Sequence, residues 1–171
     1  MSRLLAGALL ALLVVQQHGC GFHLRTWDLG ASVSSFYVDA PGSNLLAAPL
    51  RRALRQAGVA EAQTPASAQV VVGLLNAQRE RRSVSFTKQA RAAEYEMNLG
   101  VQYRVLDGAG NELVGPRWAR SVRVFRVDRG NIVGNSEEQA LLEQEMRNDL
   151  IQQIVRTLNI VAGGAADSNA G

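Results

Sequence analysis

Cys20 is the one cysteine of this 171-residue chain, and it has the most specific chemistry on offer. It follows an apolar run, Leu4 to Val15, that starts just after Arg3, and it stands directly behind the small residue Gly19. A positive start, an apolar stretch shorter than the ~20 residues of a bilayer-spanning helix, and a small residue at the cut together make an export signal. With a thiol directly beyond the cut, the arrangement is that of a lipoprotein. Residues 1–19 are expected to be removed and the Cys20 sulfur to carry a thioether-linked lipid. Of the triplet before the cut, Gln17, His18 and Gly19, only Gly19 fits the usual pattern well. The competing reading, an ordinary secretory signal, would leave an unpaired thiol in an oxidising compartment. No intramolecular disulfide can be formed from one cysteine, so stability must come from packing.

The other reactive side chains are sparse. The chain has two histidines, and only His23 survives removal of the signal, so neither a Ser/His/Asp arrangement nor a histidine metal site can be assembled. Glu94 and Glu96 lie two apart, on one face of a strand, a spacing that could suggest paired carboxylates for acid–base work. A solvated polar face turned toward nearby arginines accounts for them better. No glycine-rich phosphate loop leads from a strand into a helix, because Gly108 and Gly110 belong to a hairpin turn. No catalytic residue, metal site or cofactor is expected, and the chain does not read as an enzyme.

Positive charge is concentrated in the middle. Residues 79–129 hold eleven basic side chains against six acidic ones, although the whole chain carries only +3. Arg117, Arg120, Arg123 and Arg126 are spaced by three, which on a strand sends them to alternating faces, so they cannot form one cationic stripe. Those on a covered face must emerge at the sheet edge or meet carboxylates from a partner. Nucleic acid is the generic ligand of basic patches, but an exported chain meets anionic lipid headgroups instead.

The elements that would position these groups follow from periodicity. Val33 to Asp39 is β-branched and aromatic and ends at the Pro41, Gly42 turn signal, which predicts a strand. Leu46, Leu50, Ala53, Leu54 and Ala57 recur at three- and four-residue steps, predicting a helix that starts near Ala48, or is kinked at Pro49, and stops at Gly58. Residues 60–67 read as loop. Val70 to Leu75 is a strand run that extends toward Phe86. From Ala93, Tyr95, Met97, Leu99, Val101, Tyr103 and Val105 alternate with polar residues, the period-two mark of a half-buried strand. Asp107 to Asn111 is a turn, and Arg117 to Val127 pairs back as the next strand. Ser136 with Gln139 makes a capping box, and Leu142, Met146, Leu150, Ile154 and Leu158 give about 25 residues of amphipathic helix, stopped by Gly163 and Gly164. The expected fold is a two-layer α+β domain. Two helices pack on one face of a mostly antiparallel four-stranded sheet.

Cys20 to Arg25 (CGFHLR), Ala93-Glu94-Tyr95 entering the alternating strand, and Ser136 to Gln139 opening the last helix resemble the LptE family of LPS-assembly lipoproteins. The resemblance spans nearly all of the mature chain, with 20–162 as the LptE-like domain and 163–171 as a disordered tail. It implies a non-enzymatic lipoprotein that plugs the lumen of the outer-membrane β-barrel LptD, helps the barrel fold, and helps insert lipopolysaccharide into the outer leaflet. A family-associated basic residue for lipopolysaccharide contact matches Lys88, with Arg91 beside it. A second such position matches Asn135, a departure that Arg129 or another arginine would have to make good. Gly21, where an inner-membrane lipoprotein often has aspartate, implies outer-membrane sorting, with several acyl chains, a palmitate among them, holding the anchor. The alternative is a free periplasmic lipoprotein that binds anionic lipid or cell-wall polymer through a basic sheet face.

Overall fold

A computed structural model of the chain describes residues 29–42, 44–86, 92–128 and 132–168. In chain order the elements are α1 (Leu29–Ser32), β1 (Ser35–Asp39), α2 (Ala47–Gln56), β2 (Ala60–Glu61), a 3-10 turn (Pro65–Ser67), β3 (Val70–Phe86), β4 (Ala92–Asp107), β5 (Glu112–Asp128) and α3 (Ile132–Ser168).

Proline at the third position of α2 is tolerated because first-turn amides have no intrahelical acceptor. Gly58, at φ +80°, ends α2 in a Schellman motif: its amide reaches the Arg55 carbonyl at 3.0 Å and the Val59 amide reaches Leu54 at 3.1 Å. The single turn of α1 docks on this end. Gly30 donates to the Ala57 carbonyl at 3.1 Å, and a Cβ at Gly30 would stand only 2.9 Å from the Gly58 oxygen. Asp107 closes the β4–β5 turn by accepting from the amides of Ala109 and Asn111 at 2.9 and 2.8 Å.

The sheet has five strands, in the order β2-β1-β3-β4-β5. β3, β4 and β5 form the expected antiparallel meander, but β1 runs parallel to both β2 and β3. The four-stranded, mostly antiparallel expectation is corrected to a five-stranded mixed sheet. Helix α2 carries the chain back across the sheet after β1, so β3 enters in the same direction. The extra strand is only two residues long. Ala60 and Ala62 donate to Ser34 and Phe36 across β1, a pairing with no periodicity to reveal it in a stretch read as loop.

Both long helices cover one face. Phe36, Val38, Val72, Leu74, Val101 and Val105 from the sheet meet Leu50 and Leu54 of α2 and Leu150, Ile154 and Leu158 of α3 in one buried cluster. Each such side chain contributes about 1.5–3 kcal/mol by leaving water. A second cluster, Met97, Phe125 and Met146, extends the core along the meander. Helix α3 is 37 residues long, against about 25 expected. The helix starts at Ile132, so Ser136 is its fifth residue and does not cap it. At the other end, Gly163 and Gly164 do not stop the helix, and its backbone continues to Ser168, where a tail beginning at 163 was expected. Two helical glycines cost about 1 kcal/mol each relative to alanine, a cost that flanking alanines and a docked helix can absorb.

Candidate functional site

The register separates two surfaces of the meander. Tyr95, Met97, Leu99, Val101 and Tyr103 of β4 stand opposite Phe125, Arg123, Ser121, Ala119 and Arg117 of β5, so these odd-numbered residues face the helices. The even-numbered residues face away. In β3 the register shifts between Leu74 and Ala77, and beyond it Arg79 and Arg81 oppose Leu99 and Met97 on the helix side. Gln78, Glu80 and Arg82 join the open face. The predicted splitting of the β5 arginines is observed: Arg117 and Arg123 lie on the helix side, Arg120 and Arg126 on the other.

The open face carries interlocked polar groups, with Val122 and Val124 exposed among them. Arg82 Nη2 lies 2.8 Å from Glu96 Oε1, which also accepts from Asn98 Nδ2 at 2.9 Å. Arg126 Nη2 contacts Glu94 Oε1 at 2.7 Å, and Asn76 donates to Gln102 at 2.8 Å. Both glutamates singled out from the sequence are thus held in ion pairs on an open sheet. Two glycines lie in close approaches: a Cβ at Gly100 would stand 3.3 Å from the Trp118 ring, and one at Gly73 3.2 Å from the Arg104 side chain. Arg120 lies over Trp118, 5.1 Å from the ring centroid. Between Glu80, Arg82, Glu96 and Arg120 the face holds a depression of about 290 Å³. Acids alternate with arginines here, so the surface is charge-mixed and not the basic face of the alternative reading.

Two of the helix-side arginines, Arg79 and Arg123, find carboxylates within the chain. Arg123 pairs with Asp149 of α3, whose Oδ2 also accepts from Ser121 Oγ at 3.0 Å. Arg79 pairs with Glu143, which Arg147 approaches at 3.8 Å. Arg81 donates to Gln139 Oε1 at 3.2 Å and lies 4.6 Å over the Tyr95 ring. The sequence reading missed Glu143 and Asp149. They are six apart on a helix, an unremarkable spacing, and only the docking of α3 turns them toward the arginines.

Cys20, Lys88 and Arg91 lie outside the described residues. Lys88 and Arg91 belong to the segment joining β3 to β4. Asn135 is in the first turn of α3 and makes an interaction there. Phe86 pairs with Ala93, and Ala92 with Asp128, so the end of β3, the start of β4 and the end of β5 gather at one end of the sheet. The opposite end carries the start of β1 and the β4–β5 turn, since Val70 pairs with Asp107. Among the described residues no three His, Cys, Asp or Glu side chains are grouped to hold a metal ion, and no helix is long and apolar enough to cross a membrane.

A mixed sheet ending in a long meander, backed by one long helix, is an architecture shared with solved bacterial lipoproteins. Lipoprotein B from Nitrosomonas europaea matches with a TM-score of 0.70 at 21% identity, over 80% of this chain and 88% of that one. A minor lipoprotein from Acinetobacter baumannii matches at 0.61, also at 21% identity, over 75% and 92%. The family itself is decided by sequence. The LptE family model, described as lipopolysaccharide-assembly, matches residues 33–158. The LPS-assembly lipoprotein LptE of Pectobacterium atrosepticum is 32% identical over 94% of this chain and 88% of its own length. That of Photorhabdus laumondii is 28% identical over 88% and 82%. This chain belongs to the LptE family of LPS-assembly lipoproteins.

Proposed function

We propose that the chain is an outer-membrane lipoprotein, tethered through Cys20, that fills the lumen of an LptD-type β-barrel, assists its assembly, and helps insert lipopolysaccharide into the outer leaflet. The observation that carries this reading is the long, charge-mixed open face of the meander. A barrel lumen is lined by polar side chains and water, and a plug must offer it hydrogen-bonding groups of both signs. β3 and β5, each 17 residues long, extend over about 56 Å. That exceeds the ~30 Å of a bilayer core, so one end can stand at the periplasmic mouth while the other lies deep in the lumen.

The anchor and the basic segment suit opposite ends of this rod. The described chain starts at Leu29, nine residues after Cys20, near the start of the sheet, whereas Lys88 and Arg91 follow β3 at its far end. A chain held at the inner leaflet would thus direct its β3–β4 segment toward the outer one, where phosphorylated sugars offer anionic ligands. The free-lipoprotein reading needs a basic face, and the pairing of Glu94 with Arg126 and of Glu96 with Arg82 speaks against it.

Co-purification tests the proposal. Tagged full-length lipoprotein drawn from outer membranes should bring the barrel with it, and its depletion should leave the barrel misassembled. A barrel that matures normally without this chain, and never accompanies it, would overturn the reading.

A further inference from the structure

The open face of the meander holds Arg82, Arg104, Arg120 and Arg126. Arg82 and Arg126 are neutralised from within that face, by Glu96 and Glu94, and Arg120 lies over the Trp118 ring. Arg104 has no such partner. Its neighbours along β4, Tyr103 and Val105, are buried in the core, so the strand period sends Arg104 to the other side. Opposite it on β3 stands Gly73, and the arginine stem lies across this residue: a Cβ there would come within 3.2 Å of Arg104 Cγ and 3.3 Å of its Nε. A glycine inside a strand gives up side-chain packing and marks a close approach. What it admits here is a cation laid flat on the sheet.

That cation is half-buried and unmatched. Arg104 Nε is shielded from solvent and donates no hydrogen bond, and among the described residues the guanidinium meets no carboxylate. Asp39, which opposes Gly73 from β1, lies beyond ion-pairing distance. A charge drawn part of the way out of water without a counter-ion is unfavourable, so an arriving anion gains the attraction while the fold has already met the desolvation of the cation. We infer that Arg104 is the socket for a carboxylate on the lumen wall of the barrel partner; the inference rests on the proposed function and adds where the plug is keyed to that wall. Guanidinium and carboxylate are both planar and pair side by side, which suits an arginine held flat against a sheet. A phosphorylated sugar is the competing anion, and the surroundings offer it little. The Trp118 ring is taken by Gly100 and Arg120, and the nearby amides of Asn76 and Gln102 bond to each other at 2.8 Å.

Full-length lipoprotein co-expressed with its barrel supplies the test. Arg104→Gln keeps much of the stem and removes the charge, so the variant should retain its circular-dichroism spectrum yet co-purify with the barrel about tenfold less or worse, the scale of a charge-assisted bond. Arg104→Lys keeps the charge and brings an amine. A water-soluble carbodiimide joins an amine directly to a carboxylate in contact with it, and in the R104K complex it should link residue 104 to an aspartate or glutamate of a barrel strand, read by mass spectrometry. If wild-type chain and barrel co-purify while R104Q binds equally well and no such link forms, the socket falls and the plug survives. If wild-type chain brings no barrel, both fall. A link from residue 104 to Asp39 would make the pair internal and overturn the inference. So would an R104Q chain that keeps the barrel but binds lipopolysaccharide tenfold less, which would assign the socket to phosphate.

Discussion

The Gln153 carboxamide stands in for a sixth strand at Arg120, holding that residue's amide at 3.2 Å and its carbonyl at 2.9 Å. Gln153→Ala should therefore speed amide exchange at Arg120 and lower the unfolding free energy by about 1 kcal/mol, the net worth of a typical hydrogen bond. Urea unfolding and exchange rates indistinguishable from wild type would mean that this contact is not kept in solution.

One turn further along α3, Thr157 Oγ1 donates to the Gln153 carbonyl at 3.1 Å, which leaves it to accept from the buried Tyr103 hydroxyl at 2.7 Å. This polar chain fastens α3 to the middle of β4. Thr157→Val removes the acceptor and strands a buried hydroxyl, at a cost of about 1–3 kcal/mol. Adding Tyr103→Phe should recover part of that loss, because no buried donor remains. Strictly additive losses in a double-mutant cycle would refute the coupling.

Asp107 links pH to the β4–β5 turn. Its carboxylate accepts from the Asn111 side chain at 2.8 Å, and that bond, followed by the backbone amides of the turn, holds its pKa below the ordinary carboxylate value. A lowered folded-state pKa favours the ionised form. The contribution is thus complete above the unfolded value of about 3.9 and lost as pH falls through the lower folded one. Asp107→Asn should make stability less steep in acid. A carboxyl titration by NMR with a midpoint at or above the ordinary value would contradict this.

Lys88 tests the ligand end of the proposed function. Lys88→Asp should weaken lipopolysaccharide binding roughly tenfold or more, the scale of a charge-assisted contact, while leaving the melting temperature unchanged. Equal binding by the purified variant would remove Lys88 from the site.

Much of the architecture was legible in the chain itself. The alternation from Tyr95 to Val105 fixed which side of β4 is buried, since side chains of a strand take opposite faces whatever else surrounds them. The stripe from Met146 to Leu158 chose the buried side of α3 for the same local reason, and the motifs after Cys20 and around Ala93 pointed to the family. Pairing was not legible. The parallel join of β1 to β3, the two-residue β2 and the bulge after Leu74 that sends Arg79 and Arg81 to the helix side depend on residues far apart in sequence. The same holds for Asp149 against Arg123 and Gln153 against Arg120. A spacing along the chain records which face a residue takes, but its partner is set only when a helix docks on a sheet, because that contact forms from the summed burial of many side chains and no single one announces it.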